Sequence, residues 1–148
     1  MTRILYLFLI ERLLLAVICA YVVAQGIKIV IPIIKERKIR LHRFIEPGGM
    51  PSSHAAVVIA LLTGVGIKEG IRSTFFIITL IFALVTMYEA MGVRRAVGEQ
   101  AELLNEILSH LSYKKSIKPK LKEKLGHTPL EVITGGIIGC IITLLWMR

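Results

Sequence analysis

The chain has 148 residues, 55% of them hydrophobic, with a formal net charge of +9 and a mean hydropathy of +0.71. That is too apolar for an ordinary soluble domain of this length, so an integral membrane protein is expected. The basic residues flank apolar stretches, which points to anionic lipid head groups or a phosphate-bearing substrate rather than to nucleic acid.

Residues 13–34 supply a first stretch of the ~20 mostly apolar residues that a membrane-spanning helix needs, interrupted by Gln25, Lys28 and Pro32. The apolar run continues past a signal-peptide core and shows no clear small-residue cleavage site, so a cleaved leader is not expected. Residues 4–10 either extend this helix or lie in the interface. A basic loop over 35–43 and a turn-rich stretch over 46–50 follow. A short second span is expected at 53–67 and a third at 74–90, joined by a tight link containing Lys68, Glu69, Gly70 and Arg72. Residues 92–111 change character. Val93, Val97, Leu104, Ile107, Leu108 and Leu111 fall on one side of a helix and Glu99, Glu102 and Glu106 on the other, which predicts an amphipathic helix at the membrane surface. A lysine-rich loop, 114–124, leads to a last span at 129–146, where Gly135 and Gly139 have the small-xxx-small spacing that lets helices approach closely. Cys19 and Cys140 lie inside apolar stretches, without disulfide or zinc spacing, and read as packing residues. The expected architecture is one all-α membrane domain over residues 1–148, a bundle of about four transmembrane helices plus the amphipathic interfacial helix.

Lys and Arg crowd the loops after the first and third spans, whereas the link between the second and third is nearly balanced. This predicts cytoplasmic basic loops and both termini on the opposite side. Three unusual segments then fall at the same face: 48–54 (GGMPSSH), 89–100 (EAMGVRRAVGEQ) and 125–131 (LGHTPLE). In the first, Ser52 and Ser53 open an apolar helix as N-cap candidates, and the free N–H groups there favour an anion. His54 can donate a proton to a leaving oxygen, or it is simply a histidine at the interface. In the third, Thr128-x-x-Glu131 has capping-box spacing with Pro129 at the first helical position. His127 can attack phosphorus while Glu131 orients its other nitrogen; alternatively Glu131 only completes the box and His127 is a turn residue. In the middle segment, Arg94 and Arg95 offer guanidinium groups for phosphate oxygens. Equally, Arg95 can pair with Glu99 four residues on while Arg94 points at lipid phosphates. Glu89, costly if it faced lipid, is expected to face the bundle and to position a cation. Lys28 either snorkels to the interface or reaches the site. The lysine-rich loop reads as a membrane-surface patch. No acidic cluster has the look of a magnesium or zinc site, so neither a metal nor another cofactor is expected, and the residues suggest phosphoryl transfer by histidine.

The segments GGMPSSHAA, EAMGVRRAVGEQAELLN and LGHTPLEV occur in that order within residues 25–139. Together they resemble the divergent PAP2 family, small membrane proteins related to acid phosphatases and vanadium haloperoxidases. The resemblance implies a PAP2-related fold. It also implies a mechanism in which one histidine attacks phosphorus, a carboxylate orients it, a second histidine protonates the leaving group and basic residues hold the phosphate oxygens. On this chain it implies His127 as nucleophile, Glu131 as its partner and His54 as general acid. Ser52 and Ser53 occupy the P-S-G-H motif, Ser53 replacing its glycine, and Lys28 is the counterpart of the first-motif lysine, with Lys35 where an arginine would stand. Leu121 takes the place of the arginine six residues before the nucleophile, and Arg94 and Arg95 are candidates to supply that charge. The implied activity is metal-independent hydrolysis of a lipid phosphate. Phosphatidylglycerophosphate is the leading substrate, because some relatives are associated with it and it is made at the inner leaflet. A polyprenyl (pyro)phosphate is the alternative and would favour an outward-facing site. A lipid-binding protein that kept the fold and lost turnover is the non-enzymatic alternative. A transporter is disfavoured by the few spans and the lack of an inverted repeat. The expected partners are the lipid substrate and surrounding membrane lipids, with homo-oligomerisation left open. The expected location is the cell membrane, multi-pass, with the site on the cytoplasmic face.

Overall fold

The computed structural model describes residues 3–36, 49–110, 121 and 125–148. Among these residues five helices follow one another: α1 (Arg3–Glu36), α2 (Ser53–Glu69), α3 (Thr74–Met91), α4 (Val93–His110) and α5 (Pro129–Trp146). Most of the 35–43 basic loop and nearly all of the lysine-rich loop lie outside the described residues.

Among the described residues three stretches are long and apolar enough to cross a membrane: Glu11–Ile31, Thr74–Leu108 and Pro129–Trp146. The helix expected as a short second span is α2. At 17 residues it stands at the low end of the length that crosses a bilayer core, and it is the central helix, packed against α1, α3 and α5. The expected four apolar helices are therefore α1, α3 and α5 set around an inner α2. Their outward faces are apolar, with Ile78, Leu84, Ile133 and Leu145 all exposed, as lipid contact requires.

Between apolar helices in lipid no hydrophobic force operates, so close van der Waals packing must hold them together. Small side chains provide it. Ala16, Ala20 and Ala24, one helical turn apart, are each fully buried along α1, and Ala55, Ala56 and Ala60 are buried along α2. The α2–α5 seam is tighter still. A methyl group on Gly135 would overlap the Ser52 carbonyl oxygen, and one on Gly139 would overlap that of Ala56. Further along, Thr143 Oγ1 donates to the Ala60 carbonyl at 3.3 Å. These two glycines set how near the start of α5 comes to the start of α2.

Helix starts are fixed by side-chain caps. Ser52 Oγ accepts from Ala55 N at the head of α2, and Ser73 Oγ accepts from Phe76 N at the head of α3. Thr128 and Glu131 close a full capping box on α5, with Pro129 at its first position. The α2–α3 connection is as tight as expected: α2 ends at Glu69, Gly70 caps it, and Lys68 pairs with Glu69 at 3.0 Å.

α4 has the exposed apolar stripe expected of an interfacial helix. Val93, Val97, Leu104, Ile107 and Leu108 are exposed, and the buried positions are Gly98 and Ala101, with Asn105 half-buried. The helix therefore turns a small-residue stripe, at spacings of three and four, to the protein and leaves its apolar stripe outward, where an interfacial helix needs it.

Candidate functional site

The chain runs along α1, back through α2 and on through α3. This brings the late part of α1, the head of α2, the α3–α4 junction and the head of α5 to one end of the bundle. Backbone hydrogen bonds lock these pieces together. Ser52 N donates to the Glu131 carbonyl at 2.8 Å, and His127 N donates to the Ala90 carbonyl at 2.9 Å. Gly126 makes the second bond reachable. Its φ is +89°, a left-handed conformation that glycine adopts without strain, and a Cβ there would lie 2.6 Å from Arg95 N. The glycine in LGHTPLE thus lets the chain pass against the start of α4 and deliver His127.

His127 is 3% exposed. Its Nδ1 lies 3.1 Å from Glu131 Oε2. A carboxylate only accepts, so the imidazole proton is on Nδ1 and the Nε2 lone pair is free. That Nε2 is buried and has no hydrogen-bond partner. Glu131 Oε2 also accepts from Thr128 N at 3.1 Å. The two readings of Glu131, capping residue and histidine orienter, therefore hold together in one oxygen atom. Burial lowers the His127 pKa below the usual histidine value. The Glu131 hydrogen bond and charge pull the other way, while the charges of Lys28 and Arg94 add to the lowering.

The His54 ring faces the His127 ring edge-on, with centroids 5.8 Å apart. At that spacing both imidazoles can touch one phosphate group, with ~3 Å contacts on either side. Arg94 Nη1 lies 3.4 Å from His54 Nε2. Since a guanidinium only donates, Nε2 is the accepting nitrogen in this arrangement. Lys28 does not snorkel away: it is 6% exposed and donates to Ser53 Oγ at 2.8 Å. Ser52 and Ser53 are both buried, and the positive ends of the α2 and α5 dipoles converge here. The arrangement can bind an oxyanion and present it to the His127 nitrogen.

Two candidate residues fall elsewhere. Arg95 is exposed and pairs with Glu99 at 3.0 Å, four residues on, so its side chain is spent on its own helix while its backbone packs on Gly126. Glu89 does not face the bundle. The buried positions of α3 near this end are Ala83 and Ala90, two turns apart; Glu89 stands about 100° from Ala90 around the helix and is exposed. At the end of an apolar helix its carboxylate reaches the interface without crossing hydrocarbon.

The sequence reading also missed residues. In the sequence Gly126 stands out only as part of the LGHTPLE motif. Asn105 clasps the backbone of Leu121, donating to its carbonyl at 2.9 Å and accepting from its N–H at 3.1 Å. No local signal marks that pairing, since the partner is sixteen residues away and contributes only main chain. Gln25, buried one turn from Lys28, donates to Tyr21 Oη at 3.1 Å.

Fold and site together define a helical membrane protein with a carboxylate-held histidine, a second histidine and two cations at one end of the bundle. The chain belongs to the Divergent PAP2 family, whose pattern matches residues 9–142. It is 41% identical to the "Uncharacterized membrane protein YuiD" of Bacillus subtilis (strain 168), over 88% of this chain and 90% of that protein. No solved structure matches the chain.

Proposed function

We propose that this protein is a lipid phosphate phosphatase that works through a phosphohistidine on His127. The observation that carries the reading is the His127 ring: one nitrogen held by Glu131, the other buried without a hydrogen-bond partner, and the ring packed edge-on with a second histidine. In the first step Nε2 attacks phosphorus, the N–P bond forms and the P–O bond to the lipid breaks. His54 gives its proton to the departing alcohol oxygen. Before attack, an entering phosphate draws the Arg94 guanidinium onto its own oxygens. Its negative charge then favours the doubly protonated His54 that this step needs. In the second step water attacks phosphorus, His54 takes the water proton, and the N–P bond breaks to release inorganic phosphate and restore both rings. Lys28, Arg94 and the N–H groups at the head of α2 balance the charge on the equatorial oxygens, and Ser53 keeps the Lys28 ammonium in place. Every step uses groups of the chain and water.

The site opens at the end of an apolar bundle, which favours a phosphate carried on a lipid. The Lys and Arg bias of the flanking loops supports a cytoplasmic site, on the side where phosphatidylglycerophosphate is made. The test is phosphate release by purified protein from phosphatidylglycerophosphate, phosphatidic acid and a polyprenyl phosphate, beside His127→Ala. The expected result is turnover by wild type, fastest on phosphatidylglycerophosphate, inhibited by vanadate as a mimic of five-coordinate phosphorus, and background rates for the variant. Equal rates for both proteins across the panel would leave a lipid-binding protein without turnover.

A further inference from the structure

Two apolar grooves run down the flanks of α5 from the site. One, of about 540 Å³, lies between α5, α2 and α3 and is lined by Ile59, Met91, Pro129, Ile133, Gly136 and Cys140. The other, of about 300 Å³, lies between α5, α1 and the turn before α2 and is lined by Ile27, Ile31, Pro51, Thr134 and Ile138. Both volumes are in or near the ~300–1,000 Å³ range of ligand clefts. Ile137 borders both. Successive residues of a helix are turned by about 100°, so Gly136 and Ile138 lie on opposite sides of Ile137. Ile137, half exposed, is therefore the ridge between two troughs. The α5 positions that face the bundle, Val132, Gly135, Gly139 and Thr143, lie behind it.

Each groove begins at the site. The larger one starts at Pro129, two residues past His127. The smaller one starts at Pro51, beside the capping Ser52, and at Ile31, one turn from Lys28. We propose that the two grooves are chain-binding subsites for a two-chain glycerolipid phosphate, which straddles the head of α5 with one hydrocarbon chain on each side of Ile137 and its phosphate against His127. This rests on the phosphatase reading for the position of the phosphate, and it adds where the chains go and which residues gauge them. Gly136 is the gauge of the larger groove: a Cβ there already meets Ile59 Cγ1 at 3.4 Å, so a leucine would close the trough. A single-chain polyprenyl phosphate would fill one groove and leave the other to bulk lipid.

The test is photocrosslinking of the full-length protein in phosphatidylcholine vesicles. The probe is a diacyl phosphatidic acid with a diazirine near the end of one chain or the other, and labelled peptides are mapped by mass spectrometry. Labels are expected near Gly136 and Cys140 and near Ile27 and Ile138. They should be displaced by excess unlabelled phosphatidic acid and untouched by more phosphatidylcholine. Gly136→Leu should cut labelling in the larger groove at least tenfold while sparing the smaller one. Labels confined to one groove, or spread over outward positions such as Ile78 and Leu145 and indifferent to competitor, would overturn the proposal. Phosphate release read on the same samples keeps the two claims apart. Competed labels in both grooves without any hydrolysis support the subsites and sink the phosphatase reading. Hydrolysis with scattered, uncompeted labels does the reverse.

Discussion

Replacing Glu131 by alanine separates two jobs that a single carboxylate oxygen performs. Oε2 accepts from Thr128 N and from His127 Nδ1, both at 3.1 Å. Losing the capping half costs ~1 kcal/mol of stability, as for other helix caps. Losing the histidine half leaves a buried Nδ1–H unpaired, which adds ~1–3 kcal/mol. The expected loss of about 2–4 kcal/mol is measurable as thermal unfolding in detergent. The catalytic cost should be larger. Without the carboxylate the ring is free to take the other tautomer and to rotate, and a positive charge developing on it loses its counter-ion. Removing the carboxylate from comparable carboxylate–histidine pairs lowers kcat by on the order of 10⁴-fold. Glu131→Gln isolates the charge. Its amide oxygen can still accept both bonds, so stability should stay near wild type, while kcat falls by on the order of 10⁴-fold, because an amide carries no counter-charge for the ring and can also donate to it, admitting the other tautomer. Phosphate release from a short-chain lipid phosphate, with thermal unfolding on the same preparations, reads both effects. If Glu131→Ala is destabilised but keeps wild-type kcat, Glu131 is a cap alone and the nucleophile assignment loses its support.

The two neighbouring arginines should behave differently. Arg94→Ala removes a charged partner from the hollow and should lower kcat/KM by about 10–100-fold. Arg95→Ala breaks only an exposed i,i+4 pair worth ~0.2–0.5 kcal/mol and should leave steady-state rates within about twofold; the same loss in both would refute the distinction. Gly139→Leu drives a side chain into the Ala56 backbone and should cost about 1–3 kcal/mol or more, whereas Ile141→Leu on the exposed face serves as a near-neutral control in the same unfolding assay. The pH profile follows from His127. Its lowered pKa keeps the ring neutral and nucleophilic through the ordinary histidine value near 6.5, so kcat/KM should hold on acidification past that point and fall only below it. The sign for folding is the same: the unfolded histidine binds its proton first, so this part of the stability is lost as pH drops below about 6.5. Lys28→Met removes a cation that depresses the ring and should shift the acid limb upward. A wild-type limb at or above the ordinary value would contradict the burial of His127.

Much of the fold was legible because its signals are local. The apolar lengths near 13–34, 74–90 and 129–146 mark α1, α3 and α5, and Thr128-Pro129-x-Glu131 marks the head of α5 to the residue. α2 was also placed, but its inner position was not, because a buried helix and a lipid-facing one look alike to hydropathy. The apolar stripe of α4 was legible as membrane-facing, whereas its contact with the protein through Gly98 and Ala101 was not, because two small residues in an otherwise polar face carry little signal. Glu89 was misplaced by assuming that the end of α3 sits in hydrocarbon. At the site, sequence named chemical types but left each pair of readings open. Lys28 snorkelling or reaching in, Arg95 binding or pairing with Glu99, and Glu131 capping or orienting depend on tertiary distances. Gly126 and Asn105 act on the backbone of segments remote in sequence, where residue type carries little warning.

The central claim is that His127 becomes covalently phosphorylated. Wild-type protein should be quenched in alkali during turnover of a lipid labelled in its phosphate, then digested and mapped, since a phosphohistidine survives base and is lost in acid. The account predicts label on the peptide carrying His127, absent in His127→Ala. Steady hydrolysis with no acid-labile label on that peptide, or with the label on another residue, would contradict it.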